Sequence, residues 1–344
     1  MSMAETVGDI GEFGLIRRIS DLLNRDGIRS DRVSVGIGDD TASFLPRPGC
    51  EILVTCDALV EGRHFLSAYT TPFDLGSRAM TVNISDIGAM GGRPVYALVS
   101  LGLKAEMLVH DVEEMYRGFL TELNPFDAAV IGGNITKSGD GMFIDITLMG
   151  EIKQGKGVRR SGAIPGNVIL VTGYPGQSAA GLQLLLKGPD SPELLNHPLV
   201  RIYNRPSHRA QLGEAIAETG YATAMIDTSD GFLGDLGHIC EESKVGAELF
   251  EEKIPVSEDL RQTARVLGRD PYDFFLGDSD DYELIITCGL EHVGLLHSIV
   301  ARCGDVPVAE VGKITHGHGI TLQTPGGLRP LKSSSWDHFR VKKG

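Results

Sequence analysis

The chain has 344 residues, enough for two ordinary domains with a large buried core, and its 42% hydrophobic and 23% charged content is that of a globular protein. A formal charge of −14, from 32 basic and 46 acidic residues, repels nucleic-acid phosphates and anionic lipid, so neither nucleic acid nor membrane is expected as a partner. Five cysteines without a C-x-x-C pair, and an acidic N-terminal stretch without a long apolar run, predict reduced thiols and a cytoplasmic location.

A first helix is expected over residues 10–23, with Leu15, Ile19, Leu22 and Leu23 on one face. Short strands follow at 33–37, 42–45 and 52–56, the last ending at Asp57. A helix over 74–89 precedes the extended run "PVYALVSLGL". The strongest helical period in the chain then places Val109, Val112, Met115, Tyr116, Phe119, Leu120 and Leu123 together. "DAAVIGG" and the alternating "MFIDITLMGEI" read as strands. The basic, glycine-rich crossing "KQGKGVRRSGAIPGN" sets a domain boundary, giving 1–152 and 153–344. The second half restarts with strand "NVILVTG", helix "GQSAAGLQLLL", a proline-rich loop over 189–206 and a helix over 210–218. Strand "ATAMI" follows, then two short helices, strand "YELIITC", a helix over 291–302 and strands near 307–314 and 320–323. Interspersed strands and helices in both halves predict a two-domain α/β (α+β) chain.

Acidic residues fall at strand ends and glycine turns rather than on solvated helix faces: "GIGDDTA" with Asp39 and Asp40, "VTCDALVEGRHF" with Asp57, "NISDIGAMGG" with Asp86, "MIDTSDG" with Asp227 and Asp230, and "GDSDDYEL" with Asp278, Asp280 and Asp281. Singly, each reads as a cap or an Asx turn, and Asp230 as the N-cap of the helix that follows. Gathered in one cleft they would repel unless cations lay between them, and all-oxygen ligand sets suit Mg²⁺ shared with phosphates. "TGYPGQSAAG", linking a strand to a helix start, is a candidate anion cradle. No P-loop, G-x-G-x-x-G, G-x-S-x-G or H-E-x-x-H motif is present.

In order and spacing, these motifs resemble the thiamine-monophosphate kinase family, of the aminoimidazole ribonucleotide synthetase-like superfamily. The likeness runs from "GEFGLI" through "RRSGAIPG", "PGQSAAGL" and "DTSDGFLGDLGHI" to "WDHF", nearly the whole chain. It implies an N-terminal α/β domain forming a dimer-spanning β-barrel, a C-terminal α+β domain, and nucleotide bound between them. It implies several Mg²⁺ ions held by Asp40, Asp57, Asp86, Asp227 and Asp230, with Thr55 and Cys56 beside them. Tyr116, Gly133, Asn134, Arg160 and Ser229 would meet ATP, and His64, Asp280 and Trp336 the thiamine monophosphate. The expected product is thiamine diphosphate, formed by direct in-line transfer in a homodimer, with no general base. The acceptor is a phosphate monoester, already ionised near its second pKa of about 6, so the chemistry needs charge neutralisation and positioning. Three positions depart from the family pattern: Asn134 for an aspartate, Cys56 for a hydroxyl residue, and Asp280 for a glutamate. Two other readings stay open here, a same-fold ATP-dependent enzyme acting on another small phosphate or acid, and a non-catalytic nucleotide-binding homologue.

Overall fold

A computed structural model describes residues 5–139, 141–188 and 191–332. It divides into two compact units, residues 1–88 with 92–155 and residues 89–91 with 156–344. Trp336 lies outside the described residues.

In the first unit, helix α1 (Val7–Asp26) begins three residues earlier than expected. Thr6 and Asp9 form a capping box, the Thr6 hydroxyl accepting from the Asp9 N–H and the Asp9 carboxylate from the Thr6 N–H. Strands β1 (Val33–Val35) and β2 (Ser43–Phe44) pair as a short hairpin. The main sheet has the order β3 (Cys50–Val60), β6 (Phe143–Lys153), β4 (Arg93–Leu103) and β5 (Ala129–Lys137); only β4 and β5 run parallel. It is an open sheet, without a closed barrel among the described residues of one chain. Strand β3 corrects the expectation that Asp57 ends it. The strand runs three residues further, and Asp57 pairs in register with Ile146. The alternation in "ILVTCDALV" is a strand signal that one carboxylate does not stop, because every second side chain can face a polar surface.

Helix α2 (Pro72–Ala89) packs on one face of this sheet, with Ile87 filling the space that a side chain at Gly150 would need. Helix α3 (Val109–Leu123) crosses α2 where Gly76 faces the Met115 carbonyl and Gly118 the Phe73 carbonyl. Two glycines thus allow the backbones to touch. The opposite face of β3 carries Ile52, Val54, Cys56, Ala58 and Val60, all exposed, with Val54 at 64%.

The second unit is a seven-stranded sheet, β13 (Gly327–Leu331), β12 (Gly319–Thr324), β9 (Gly246–Phe250), β11 (Val308–Thr315), β7 (Val168–Thr172), β10 (Leu284–Cys288) and β8 (Ala222–Asp227). All neighbours are antiparallel except β12 with β9. Both faces are covered. Helix α7 (Phe232–Ser243) buries Phe232, Leu236 and Ile239 against Ile169, Val171 and Ile226. Helices α6 (Ala210–Thr219) and α10 (Val293–Cys303) bury Leu212, Ile216, Leu296 and Val300 against Leu170, Met225 and Ile286 on the other face. That explains the unbroken apolar runs of β7 and β10. A third cluster joins α4 (Gln177–Lys187), α5 (Pro198–Asn204), α8 (Glu258–Leu267) and α9 (Pro271–Phe275). Helix α5 falls where a loop was expected. Pro198 opens it at the first turn, where proline's missing N–H costs nothing, and His197 Nδ1 accepts from the Leu199 N–H.

Candidate functional site

Two loops of the second unit lie against each other at one end of the sheet. Strand β8 ends on Asp227, which pairs with Leu284 of β10. The following loop, 228–231, is cross-braced to the loop entering β10. The Thr228 N–H donates to the Glu283 carbonyl at 2.7 Å, the Tyr282 N–H to the Thr228 carbonyl at 2.8 Å, and the Glu283 N–H to Thr228 Oγ1 at 3.0 Å. Tyr282 takes φ +56°, rare outside glycine, and a side chain at Gly231 would strike the Gly277 carbonyl. Below the loops, Arg209 grips the Glu283 carboxylate with two N–H donors, and Thr172 Oγ1 donates to Glu283 Oε2 at 2.5 Å. The two acidic motifs therefore share one rigid base.

Neither Asp227 nor Asp230 caps α7, which corrects the reading of Asp230 as its N-cap. The N-cap is Gly231, and the loop's donors are taken from inside the helix by Asp235. Asp235 Oδ2 accepts from the N–H groups of Ser229, Asp230 and Gly231 at 3.0, 3.1 and 3.1 Å. Both Asp235 and Asp227 are almost wholly buried. Burial, followed by the charges of Asp227 and Asp230, pushes the Asp235 carboxyl up to about 8. Asp230, Asp235 and His238 each offer a ligand atom within 4.8 Å of the others. Asp235 and His238 were missed in the sequence. The available signal was a lone carboxylate inside the apolar run "FLGDLGHI", where an unpaired charge is costly.

The loop 278–281 reaches the start of α4. The Gly176 and Ser178 N–H groups donate to the Asp281 carboxylate at 2.6 and 2.9 Å, and the Ala179 N–H donates to Ser279 Oγ at 3.1 Å. Ser178 Oγ donates to Asp280 Oδ1 at 2.6 Å. The expected anion cradle at "TGYPGQSAAG" is thus filled by the chain's own carboxylate. Burial raises the Asp281 carboxyl to about 6, against the lowering effect of its two backbone donors. Arg160 sits on an exposed segment whose neighbour Arg159 accepts from the Met225 N–H of β8 at 3.0 Å.

In the first unit, Thr55 and Asp57 share the inner face of β3, and Thr55 Oγ1 donates to Asp86 Oδ2 of α2 at 2.5 Å. One turn earlier on α2, Asn83 is fully buried. Its amide donates to the Ala79 carbonyl, and its Oδ1 has no partner among the described residues. Asn83 was not foreseen from sequence. Cys56 points to the opposite face, its thiol 3.1 Å from Asp145 Oδ1, so only its backbone carbonyl could serve beside Thr55 and Asp57. The Thr147 hydroxyl, donating to the sulfur, lowers that thiol's pKa, but the hydrogen bond to Asp145, burial and the Asp145 and Asp57 charges together leave it raised.

Asp40 is exposed, its N–H donating to Asp39 Oδ1 at 2.8 Å. His64 Nδ1 accepts from the Val60 N–H at 3.0 Å. Gly133 and Asn134 lie on β5 opposite Val99 and Ser100. Gly133 has φ +156°, and a Cβ there would fall onto the Val99 carbonyl oxygen. Tyr116 sits on the buried face of α3, 4% exposed and edge-on to Phe119 at 5.1 Å, which leaves little surface for the nucleotide contact expected of it. No helix among the described residues is long and apolar enough to cross a membrane.

Comparison with known proteins adds a family context. Residues 38–152 match the N-terminal domain, and residues 165–324 the C-terminal domain, of AIR synthase related proteins. A protein of Aquifex aeolicus (strain VF5) named thiamine-monophosphate kinase is 34% identical over 333 residues, covering 96% of this chain and 99% of its own. The crystal structure of thiamine-monophosphate kinase from Stenotrophomonas maltophilia K279a is 34% identical. Its TM-score is 0.80, with 91% of this chain and 96% of that one covered. The structure of AaThiL complexed with AMPPCP and TMP is 33% identical with a TM-score of 0.75, covering 98% of this chain and all of that one.

Proposed function

The chain belongs to the thiamine-monophosphate kinase family of AIR synthase related proteins, and we propose that it transfers the γ-phosphoryl group of ATP to thiamine monophosphate, giving thiamine diphosphate and ADP. The observation that carries this reading is the end-to-end likeness to AaThiL, a chain bound to AMPPCP and TMP.

Magnesium is the proposed metal. The residues fit it in two ways. Buried carboxylates at Asp227 and Asp235 raise each other's cost of ionisation, which a dication relieves, and Asn83 Oδ1 is a buried oxygen acceptor without a partner among the described residues. Asp40, Thr55, Asp57 and Asp86 of the first unit, and Asp227 and Asp230 of the second, are the proposed ligands, with the Cys56 carbonyl beside them. When bound, the metal neutralises phosphate charge and lets one anion approach another.

The chain's own groups supply the rest. The Arg160 guanidinium offsets triphosphate charge and the Ser229 hydroxyl donates to it, with Gly133 and Asn134 meeting the nucleotide from β5. His64, Asp280 and Trp336 orient the thiamine monophosphate. Asp280 is already tied to Ser178, which fixes its direction. The acceptor phosphate needs no base, so transfer is direct and in line, without a phosphoenzyme. The exposed apolar face of β3 supports a homodimer in which two open sheets close into one barrel. A cytoplasmic location is consistent with the thiols and with this substrate pair.

The test is an assay of the full chain with Mg·ATP and thiamine monophosphate. Thiamine diphosphate and ADP in equal amounts are expected. ATP consumption only with a different acceptor, or nucleotide binding without turnover, refutes the proposal.

A further inference from the structure

Four element ends of the second unit meet at one buried carboxylate that is not among the proposed ligands. Glu283 immediately precedes β10, Thr172 ends β7, Thr228 follows β8, and Arg209 is the N-cap of α6. Arg209 Nε donates to Glu283 Oε2 at 2.6 Å and Nη2 to Oε1 at 2.5 Å, while Thr172 Oγ1 also donates to Oε2. The Glu283 side chain is 8% exposed. Its carboxylate fits against the bare α-carbon of Gly173, at φ +62°, where a Cβ would strike Oε1.

A buried ion pair contributes little net stability, because desolvation offsets attraction. What the guanidinium fork adds is direction, since two parallel N–H donors fix the plane of the carboxylate. Direction matters because of what the Glu283 backbone holds. Its carbonyl accepts from the Thr228 N–H and its N–H donates to Thr228 Oγ1, so the residue that Arg209 orients sets where Thr228 lies. Asp227, Ser229 and Asp230 adjoin Thr228, and Asp280 is three residues before Glu283.

We propose that Arg209 and Glu283 are positioning residues for phosphoryl transfer. Their ion pair fixes the separation between the loop that holds metal and triphosphate and the loop that holds the acceptor. The assignment rests on the kinase reading above. Both residues act through Thr228 and Asp280 rather than by touching a substrate. In-line transfer between two bound anions depends on that separation, and a displacement of about 1 Å costs about 100-fold in rate.

The double variant Arg209→Met, Glu283→Gln removes both charges together, so no unpaired carboxylate is left buried. It is expected to fold, with kcat lowered about 100-fold and each KM within about threefold of wild type, the pattern of an interaction realised only in the transition state. Arg209→Lys keeps the counter-charge but loses the fork, so it stays informative should the double variant fail to fold; a fall in kcat of at least about tenfold is expected. A change that only weakened the fold would lower the melting temperature and leave kcat per folded molecule unaltered. Hydrogen exchange needs no turnover: in the double variant the Thr228, Tyr282 and Glu283 amides should lose protection together. A smaller fall in kcat in the folded variants, a loss carried by KM, or unchanged protection overturns the assignment, while wild-type turnover keeps the kinase reading. A wild type that makes no thiamine diphosphate, with those three amides deprotected together in the double variant, overturns the kinase reading and supports the junction.

Discussion

Asp235→Asn tests the view that the 227–231 loop is assembled at an electrostatic cost that only a cation relieves. Burial, with the nearby Asp227 and Asp230 charges, pushes the Asp235 carboxyl up to about 8 from the 3.8 of an ordinary aspartate. A carboxyl raised in the folded state binds more protons there than in the unfolded chain, so its contribution to stability falls as pH rises from about 3.8 to about 8. At pH 7 the difference spans about three units, or ~4 kcal/mol at ~1.4 kcal/mol per unit. Asparagine removes that loss and keeps an oxygen for the three loop N–H groups, as neutral bonds about half as strong as charge-assisted ones. The net expectation in excess chelator at pH 7 is a gain of about 2 kcal/mol, or a rise in melting temperature of roughly 4–8 °C for a unit this size. The gain should vanish at pH 4. With magnesium and ATP the order reverses: the wild type is stabilised more, and the variant needs more Mg²⁺ for half-maximal rate. Calorimetry with and without chelator at pH 4 and 7 measures both. A variant less stable than wild type at pH 7 without metal would show that the three N–H bonds outweigh burial and repulsion, and the reasoning would fail.

Two other predictions concern the supports of the site. Gly133→Ala places a methyl group onto the Val99 carbonyl at a left-handed φ, so β5 must shift. A loss of at least about 3 kcal/mol in urea unfolding is expected, and a stability within 0.5 kcal/mol of wild type refutes the close approach. Asp281, raised to about 6 by burial, contributes stability that falls as pH climbs from about 3.8 to 6, by ~3 kcal/mol. Asp281→Asn costs a pH-independent bond to the Gly176 or Ser178 N–H but should flatten that part of the stability profile, which denaturant titrations at pH 4 and 6.5 would reveal.

The sequence determined what depends on neighbours along the chain. Periodicity located α3 almost to the residue and the two unbroken strands β7 and β10, because a helix or strand face is set by spacing of a few residues. Motif order fixed the family, since acidic and glycine turns at set intervals recur only where a backbone path recurs. Strand β3 and helix α5 were misjudged because single residues, Asp57 and the prolines, were read as stops, while register with β6 and a proline in the first turn made them continuous. Only tertiary structure decided where side chains spend their hydrogen bonds. Asp235 serves three N–H groups of a loop four to six residues back, Asp281 crosses more than a hundred residues to close α4, and Cys56 turns away from the face of Thr55 and Asp57 towards Asp145. A carboxylate's partner is chosen by proximity in the folded chain, and no local pattern of residues contains that distance.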